Sequence, residues 1–136
     1  MRRRHRSGEA RASGRPLLSP LLRELALQTL VENLQFASRS LEQAGIRLLV
    51  EPINTRDMPG FFLCHSAQAL ALLDAVGSPN LALQYDVYHM QVMEGDPERS
   101  LEECFPRIGH FQDADHPGRH EPGTGSIDYR RLFALI

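Results

Sequence analysis

The segment LALQYDVYHM, residues 81–90, gives the clearest indication of how this chain folds. It begins with a mostly apolar run of strand-forming residues, ends that run at Asp86, and places His89 three positions later. A short apolar run bounded by turn residues is typical of a buried strand in a parallel sheet. In parallel α/β folds the chemistry lies at the carboxyl ends of the strands. The segment therefore predicts a strand that delivers Asp86 to a functional edge.

The same pattern, an apolar strand followed by an oxygen-bearing side chain, occurs twice more. Residues 46–50 precede Glu51, and residues 108–111 precede Gln112. Glu51, Asp86 and Gln112 are separated by 35 and 26 residues, which is close to the roughly 30 residues of one strand–helix unit. We therefore expect the three side chains at the same level of successive parallel strands.

Helix signals fill the segments around these strands. The signals are serine or aspartate caps, proline at the first helical position, and glycine or proline stops. They predict helices from Ser19-Pro20 to Gly45, from Ser66 to Gly77, from Asp96 to Phe105, and from Asp128 to Ile136. The order α-β-α-β-α-β-α predicts the α/β class with a parallel sheet. The apolar, uncapped residues 134–136 indicate a chain that stops in mid-helix.

Charge divides the chain into two parts. Residues 1–15 contain six arginines and one acid, a net charge of +5, whereas the rest contains nine arginines and sixteen acids, a net charge of −7. Residues 1–18 lack apolar periodicity and are predicted to form a disordered, non-native arm, with the folded part over 19–136. The acidic body argues against a nucleic-acid partner. No apolar run reaches the roughly 18 residues of a membrane helix, which argues against a membrane partner.

Residue types that are missing exclude several chemistries. All fifteen Lys or Arg positions are arginine, so Schiff-base aldolases, pyridoxal enzymes and phosphate loops of the GK[ST] type, which need a lysine, are excluded. Cys64 and Cys104 have neither CxxC nor paired metal spacing, which favours free thiols in a cytoplasmic protein. The remaining means of catalysis are carboxylates, histidines, a metal, or a nucleophilic serine or cysteine.

Oxygen ligands from three strand ends suit Mg²⁺ or Mn²⁺. Taken singly, each such residue could instead cap the next helix or face solvent. His89 is placed to reach a substrate or to orient a ligand, with a packed histidine as the alternative. The segment 110–125 carries many charged residues beside turn-forming proline and glycine. Its Arg119 could pair with a substrate carboxylate.

Four segments resemble the hydroxypyruvate isomerase family, within the xylose isomerase-like barrels: LLVEPIN (48–54), QYDVYHMQVMEG (84–95), IGHFQDAD (108–115) and EPGTGSIDYRRLF (121–133). The resemblance begins near Leu27 and implies a (β/α)₈ barrel that binds a divalent metal. It implies four strand-end ligands, of which Glu51, Asp86 and Gln112 match the first three. The fourth, a second glutamate, is expected beyond Ile136.

The resemblance also implies a reaction, the interconversion of hydroxypyruvate and tartronate semialdehyde through a metal-bound enediol. Glu51 would be one of two glutamates that transfer the proton. His89, Arg119 and Glu121 would contact the small hydroxy-oxo acid substrate. Close relatives isomerise 2-oxo-tetronates, and the motifs do not separate the two substrates. Self-association is left open.

Three strands are a fragment of an eight-stranded barrel, which typically needs about 250 residues. We therefore expect strands of the barrel to be missing at both ends, and this polypeptide to be inactive by itself, with bare sheet edges that favour aggregation. Two further alternatives are a metal-dependent hydrolase on the same barrel, such as an endonuclease-IV-like enzyme, and a non-catalytic remnant. The hydrolase would need more histidine ligands and a basic face, which Gln112 and the acidic body oppose.

Overall fold

The computed structural model describes residues 19–136. The arm predicted over residues 1–18 lies outside the described residues. In chain order the elements are α1 (Pro20–Gln43), β1 (Leu48–Val50), α2 (Ser66–Val76), β2 (Leu81–Asp86), α3 (Val87–Glu94), α4 (Pro97–Cys104), a 3₁₀ turn (Phe105–Arg107), β3 (Ile108–Gln112) and α5 (Tyr129–Phe133). None of these helices combines the length and the apolar character needed to cross a bilayer.

The three strands form one parallel sheet in the order β1-β2-β3. The parallel arrangement predicted from the alternation of strands and helices is thus confirmed. Consecutive strands are neighbours because each helical crossover returns the chain to the adjacent position. All three strands consequently end at the same edge, where Glu51 follows β1, and Asp86 and Gln112 close β2 and β3.

β2 lies at the centre of both the sheet and the core. Leu83 and Tyr85 are fully buried, as are Leu72 and Leu73 on the face of α2 that packs against the sheet. The hydroxyl of Tyr85 donates to the carbonyl oxygen of Pro97 at 2.9 Å, which ties the strand to the start of α4. This packing gives β2 a rigid position from which its last residues enter the site.

A bulge in β3 sets which of its side chains face the site. Leu83 pairs with Ile108, but the next residue, Gln84, pairs with His110, so Gly109 is the additional residue. Glycine is required there because a Cβ at position 109 would lie 2.7 Å from the Cβ of Ala82. Beyond the bulge, β3 continues with its pleat shifted by one residue.

The largest departure from the predicted order is the additional helix α3, which begins directly after β2. Asp86 is the N-cap of this helix, since its Oδ1 accepts a hydrogen bond from the N–H of His89 at 3.2 Å. Asp86 is therefore both a strand-end residue of the site and the cap of a helix. The helix turns the chain back at the functional edge and presents His89 to it.

Two predicted element starts were wrong. Ser66 is the first residue of α2 and His65 is the N-cap position, because the carboxylate of Glu94 accepts from both the N–H and the hydroxyl of Ser66, at 2.7 and 3.1 Å. β1 begins at Leu48 and not at residue 46, because the N–H of Ile46 still bonds to the last turn of α1 at 2.9 Å.

The predicted end of the last helix, at Ile136, was also wrong. Asp128 caps α5 as predicted, with Oδ1 accepting from the N–H groups of Arg130 and Arg131 at 3.1 and 3.2 Å. The helix ends at Phe133, and residues 134–136 lie outside it.

Candidate active site

The strand ends are joined by one side chain, Gln84. Its amide nitrogen donates to Oε2 of Glu51 at 2.8 Å and to Oε1 of Gln112 at 3.0 Å. Asp86 is the register partner of Gln112. The structure thus brings together the three strand-end residues predicted from the sequence. Gln84, on the middle strand, is a fourth residue of this cluster and is hydrogen bonded to two of the other three.

Asp86 is the most buried of these groups, with a side chain that is 2% exposed. Its Oδ1 caps α3, and its Oδ2 accepts from Nη2 of Arg119 at 2.9 Å. A buried carboxylate is costly unless it is paired and hydrogen bonded. Both oxygens of Asp86 meet that requirement, so the burial itself is consistent with a role in holding charge at this edge.

His89 completes the cluster from the first turn of α3. Its Nε2 lies 3.7 Å from Oε1 of Glu51 and 3.6 Å from Oδ2 of Asp86, and its side chain is 4% exposed. One ligand atom from each of the three residues lies within 4.8 Å of the others. Burial lowers the pKa of His89, as does the charge of Arg119, and both outweigh the opposing effect of Asp86.

The other ring nitrogen of His89 is held by the loop after β1. Asn54 Nδ2 lies 2.8 Å from His89 Nδ1, and the same Nδ2 donates to Oδ2 of Asp57 at 2.9 Å. The hydroxyl of Tyr88 donates to that carboxylate oxygen, also at 2.9 Å. Asn54 is fully buried, so this hydrogen-bonded chain fixes His89 from the side opposite to the carboxylates.

The environment of Glu51 favours its protonated form. Burial raises the pKa of Glu51, and the neighbouring charge of Asp86 raises it further, against the opposing effects of Arg119, Gln84 and His110. The side chain remains 22% exposed. A carboxyl group with a raised pKa that is accessible from the site is a candidate for proton transfer.

The loop between β3 and α5 is organised around Asp115, which is fully buried. Its carboxylate accepts hydrogen bonds from the backbone N–H groups of His116, Gly123 and Ile127 at 2.8, 2.8 and 3.1 Å. Burial alone would raise the pKa of Asp115, but these hydrogen bonds and one from Gly125 outweigh it, and the pKa is lowered. The charged loop predicted from the sequence is therefore folded around one internal anion.

Arg119 stands at the turn of this loop in a left-handed conformation, with φ of 58°. Its guanidinium carbon lies 5.5 Å from the ring centroid of Tyr88, while Nη2 bonds to Asp86. The side chain is 49% exposed. It borders a cavity of about 330 Å³ lined by Asp86, Phe111, Gln112, Asp113, Ala114 and Arg119. The guanidinium can therefore face a ligand while one nitrogen remains bonded to the buried carboxylate.

Glu121 lies on the same loop and is exposed. Its carbonyl oxygen accepts from the N–H and hydroxyl of Thr124 at 3.3 and 2.7 Å. These backbone contacts of Glu121 shape the turn, and its role in substrate binding stays a prediction.

Sequence reasoning missed Gln84, Asn54 and Tyr88. The signal for Gln84 was present, because it lies two residues before Asp86 on the same strand and so on the same face. Asn54 had no such signal, since it lies in a loop whose course only the folded chain defines.

The donor set fits a hard divalent cation. Gln84 donates to one carboxylate oxygen of Glu51 and to the amide oxygen of Gln112, and thereby orients both side chains. Together with Asp86 these residues offer oxygen ligands from three strands, which is the chemistry that Mg²⁺ and Mn²⁺ prefer.

The chain is similar to a known protein family and to several known proteins. Residues 10–136 match the family model described as xylose isomerase-like TIM barrel. A hydroxypyruvate isomerase from Escherichia coli (strain K12) is 53% identical over 108 residues, which are 79% of this chain and 42% of that protein. A 2-oxo-tetronate isomerase from Cupriavidus necator is 44% identical over 108 residues, with the same coverage. The chain spans about two fifths of the length of these relatives.

Solved structures give the same fold. A protein from Brucella melitensis described as an AP endonuclease of family 2 superposes with a TM-score of 0.80 at 42% identity, over 83% of this chain and 44% of that one. A 3-keto-D-glucoside 4-epimerase from E. coli superposes with a TM-score of 0.76 at 22% identity, over 87% and 44%, and this likeness concerns the fold alone. The matches confirm the predicted class, part of a (β/α)₈ barrel.

Proposed function

Because the chain belongs to the xylose isomerase-like TIM barrel family, we propose that its site serves an isomerase of small hydroxy-oxo acids. The proposed reaction is the interconversion of hydroxypyruvate and tartronate semialdehyde. The observation that carries the proposal is the cluster of Glu51, Asp86 and His89 at the carboxyl ends of parallel strands. The identity with an isomerase of this substrate, at 53%, supports the same choice.

A divalent cation, Mg²⁺ or Mn²⁺, would be held by Glu51, Asp86 and Gln112. When bound, it would polarise the carbonyl and hydroxyl oxygens on neighbouring carbons of the substrate. The oxygen-only donor set supports a cation of this class.

Glu51 is the proposed proton-transfer group of this chain. Starting from hydroxypyruvate, a carboxylate removes a proton from C3, the carbon that bears the hydroxyl. The electron pair forms the C2–C3 double bond, and the carbonyl oxygen on C2 takes up a proton to give the enediol. The C3 oxygen then loses its proton, which balances the one gained by the C2 oxygen. The proton removed from C3 is returned to C2, which leaves an aldehyde at C3 and a hydroxyl at C2. The raised pKa of Glu51 and its partial exposure support this role, because a carboxylate with a raised pKa is a stronger base.

Arg119 and His89 are the proposed substrate-binding groups. The exposed part of the Arg119 guanidinium would pair with the substrate carboxylate, and a bidentate pair of this kind fixes orientation as well as charge. His89 would donate a hydrogen bond to a substrate oxygen beside the carboxylates. Its burial and lowered pKa support a neutral ring.

A 2-oxo-tetronate is the alternative substrate, supported by the 44% identity to an isomerase of that compound. It differs from hydroxypyruvate by one more carbon unit, and both present a carboxylate next to a carbonyl. The chain spans 42% of the length of the E. coli relative, and the activity is proposed for the whole protein. This polypeptide by itself is proposed to lack catalysis.

A nucleic-acid hydrolase on the same barrel is the other class to consider, given the Brucella melitensis match. Residues 16–136 carry nine arginines and sixteen acids, a net charge of −7. An acidic body disfavours the phosphate contacts that dominate affinity for nucleic acid. The isomerase proposal agrees better with this charge.

The proposal can be tested in a chimera that places the residues of this chain within a full-length barrel. In the E. coli hydroxypyruvate isomerase, the matching 108 residues would be replaced by those of this chain. We expect isomerisation of hydroxypyruvate that requires Mg²⁺ or Mn²⁺ and is abolished by Glu51→Gln. A preference for a 2-oxo-tetronate would establish the alternative substrate. A chimera that unfolds cooperatively, binds Mn²⁺ and acts on neither compound would refute the proposal.

A further inference from the structure

We propose that Asn54 is a positioning residue that fixes His89 as the Nε2–H tautomer, so that His89 faces the site as a hydrogen-bond donor and stays outside the metal coordination shell. The inference deepens the proposed function and, for the use of that donor, rests on it. The assignment of the tautomer rests on hydrogen bonds of this chain alone.

The first step is the orientation of the Asn54 side chain, which backbone groups determine. Its Oδ1 accepts from the N–H of Arg56 at 3.1 Å and from the N–H of Asp57 at 2.8 Å. A backbone N–H can only donate, so the atom it meets must be the amide oxygen. The amide nitrogen is then the atom that lies 2.9 Å from the Asp57 carboxylate and 2.8 Å from Nδ1 of His89.

The second step is the proton on the ring. Nδ1 of His89 meets the amide nitrogen of Asn54, which is a donor, and also the backbone N–H of Asn54 at 3.5 Å. Both neighbours donate, so Nδ1 must offer its lone pair. In a neutral imidazole the proton then sits on Nε2.

The third step concerns the metal. Nε2 lies 3.6 and 3.7 Å from the carboxylates of Asp86 and Glu51, and distance alone would allow these three groups to share a cation. A nitrogen that carries a proton has no lone pair for a metal. Metal-binding histidines usually donate their other N–H to an acceptor, whereas here the other nitrogen receives two donors. The coordination shell is thereby restricted to oxygen atoms.

Asn54 can hold this position because it is itself anchored. The Asp57 carboxylate that accepts from Asn54 also accepts from the hydroxyl of Tyr88, the neighbour of His89 on α3. The loop after β1 and the helix that carries His89 are therefore joined by two hydrogen bonds to one carboxylate oxygen. The same anchor prevents the amide from turning over.

The wild-type test is a long-range ¹H–¹⁵N spectrum of the full chain labelled with ¹⁵N-histidine, with the His89 signals identified by their loss in His89→Gln. We expect the pattern of the Nε2–H tautomer, unchanged by Mg²⁺. Co²⁺, as a spectroscopic probe, should show oxygen-only ligation. A His89 pattern of the Nδ1–H type, or coordination of Nε2 to either ion, would overturn the proposal.

The role of Asn54 is tested by exchanging the donor and the acceptor. In the double variant Asn54→Asp with Asp57→Asn, residues 54 and 57 can still bond to each other, but position 54 now presents an acceptor to Nδ1. We expect the ring to change to the Nδ1–H tautomer and to release Nε2 as a ligand for Co²⁺. Asn33→Asp, the same change at an exposed position of α1, serves as the control and should leave the spectrum unaltered.

Asn54→Ala provides a second test of the role of Asn54 in case the double variant does not fold. It removes the side-chain donor while the backbone N–H remains, and we expect both tautomers to be populated. A spectrum of Asn54→Ala identical to the wild type would overturn the role of Asn54. Failure of the chimera to isomerise either acid would contradict the proposed reaction and leave the tautomer assignment intact, so the two failures are distinguishable.

Discussion

The side-chain nitrogen of Gln84 lies 2.8 Å from Oε2 of Glu51, and this hydrogen bond joins the middle strand of the sheet to the candidate proton-transfer group. The same nitrogen bonds to Gln112 on the other neighbouring strand. One amide therefore orients two of the three predicted metal ligands. Residues that orient ligands in this way commonly contribute a factor of about 10–100 to metal affinity.

Gln84→Leu removes the donor while leaving the three ligands in place. We expect Mn²⁺ affinity, measured by isothermal titration calorimetry, to fall by about 10–100-fold, because Glu51 and Gln112 lose their fixed orientation. Gln43→Leu, at an exposed position at the end of α1, is the control. Equal Mn²⁺ affinity in Gln84→Leu and wild type, with both chains folded, would show that Gln84 does not orient the ligands.

Glu51→Gln should separate stability from function. In the metal-free chain, burial and the charge of Asp86 disfavour the ionised form of Glu51. The folded state is therefore less stable once the pH has risen through the raised pKa of Glu51 and its carboxyl group is ionised. The neutral amide avoids that cost and can still accept from Gln84. We expect a melting temperature at pH 8 that is higher by roughly 2–5 °C, and loss of the stabilisation that Mn²⁺ gives the wild type. Calorimetry with and without Mn²⁺ measures both, and a lower metal-free melting temperature would contradict the expectation.

Asp115 should make the chain sensitive to acid. The pKa of Asp115 is lowered in the folded state. Its contribution to the free energy of unfolding is therefore fully present above the unfolded-state pKa near 3.8 and is lost as the pH falls through the folded-state pKa. Asp115→Asn should lower the free energy of unfolding at pH 7 by on the order of 2–3 kcal/mol and flatten its dependence on pH below 4. Urea unfolding between pH 2.5 and 7 would measure this. The exposed Asp113→Asn is the matched control, and parallel pH profiles of the two variants would exclude a special role for Asp115.

Gly109→Ala should strain the bulge in β3. The added methyl would lie 2.7 Å from the Cβ of Ala82 and 2.9 Å from Cδ2 of Leu49, and overpacking of this kind costs roughly 1–3 kcal/mol. Combining it with Ala82→Gly removes the nearer contact and should restore part of the loss. A double-mutant cycle from urea unfolding tests the coupling. Strictly additive effects would show that the two positions do not interact.

The strands and the residues that end them could be predicted because each is a short apolar run whose period and length are local properties. Parallel pairing then followed from the alternation with helices. Glu51, Asp86 and Gln112 converge for that reason. The helix α3 could not be predicted in the same way, since Asp86 serves as strand end and helix cap without any linker between.

Other parts of the site depend on contacts that no local pattern contains. Asp115 belongs to a charged segment whose composition suggests a solvated or binding loop, and its complete burial results from backbone N–H groups up to twelve positions away. Asn54 meets His89 across 35 positions of sequence. Hydrogen bonds of this range are defined by the tertiary fold, and only the structure can place them.

The bulge at Gly109 has a consequence for how β3 tolerates changes in length. Because Gly109 is the additional residue, deleting it would make Ile108 and His110 ordinary alternating neighbours, and His110, Phe111 and Gln112 would keep their partners on β2. Deleting a residue beyond the bulge, such as Phe111, would instead move Gln112 to the opposite face of the sheet. A deletion of the same size at an exposed position of the loop after β3 would leave that alternation intact. Insertions and deletions among natural variants of this segment should accordingly be absent from residues 110–112 and confined to position 109 and the loop.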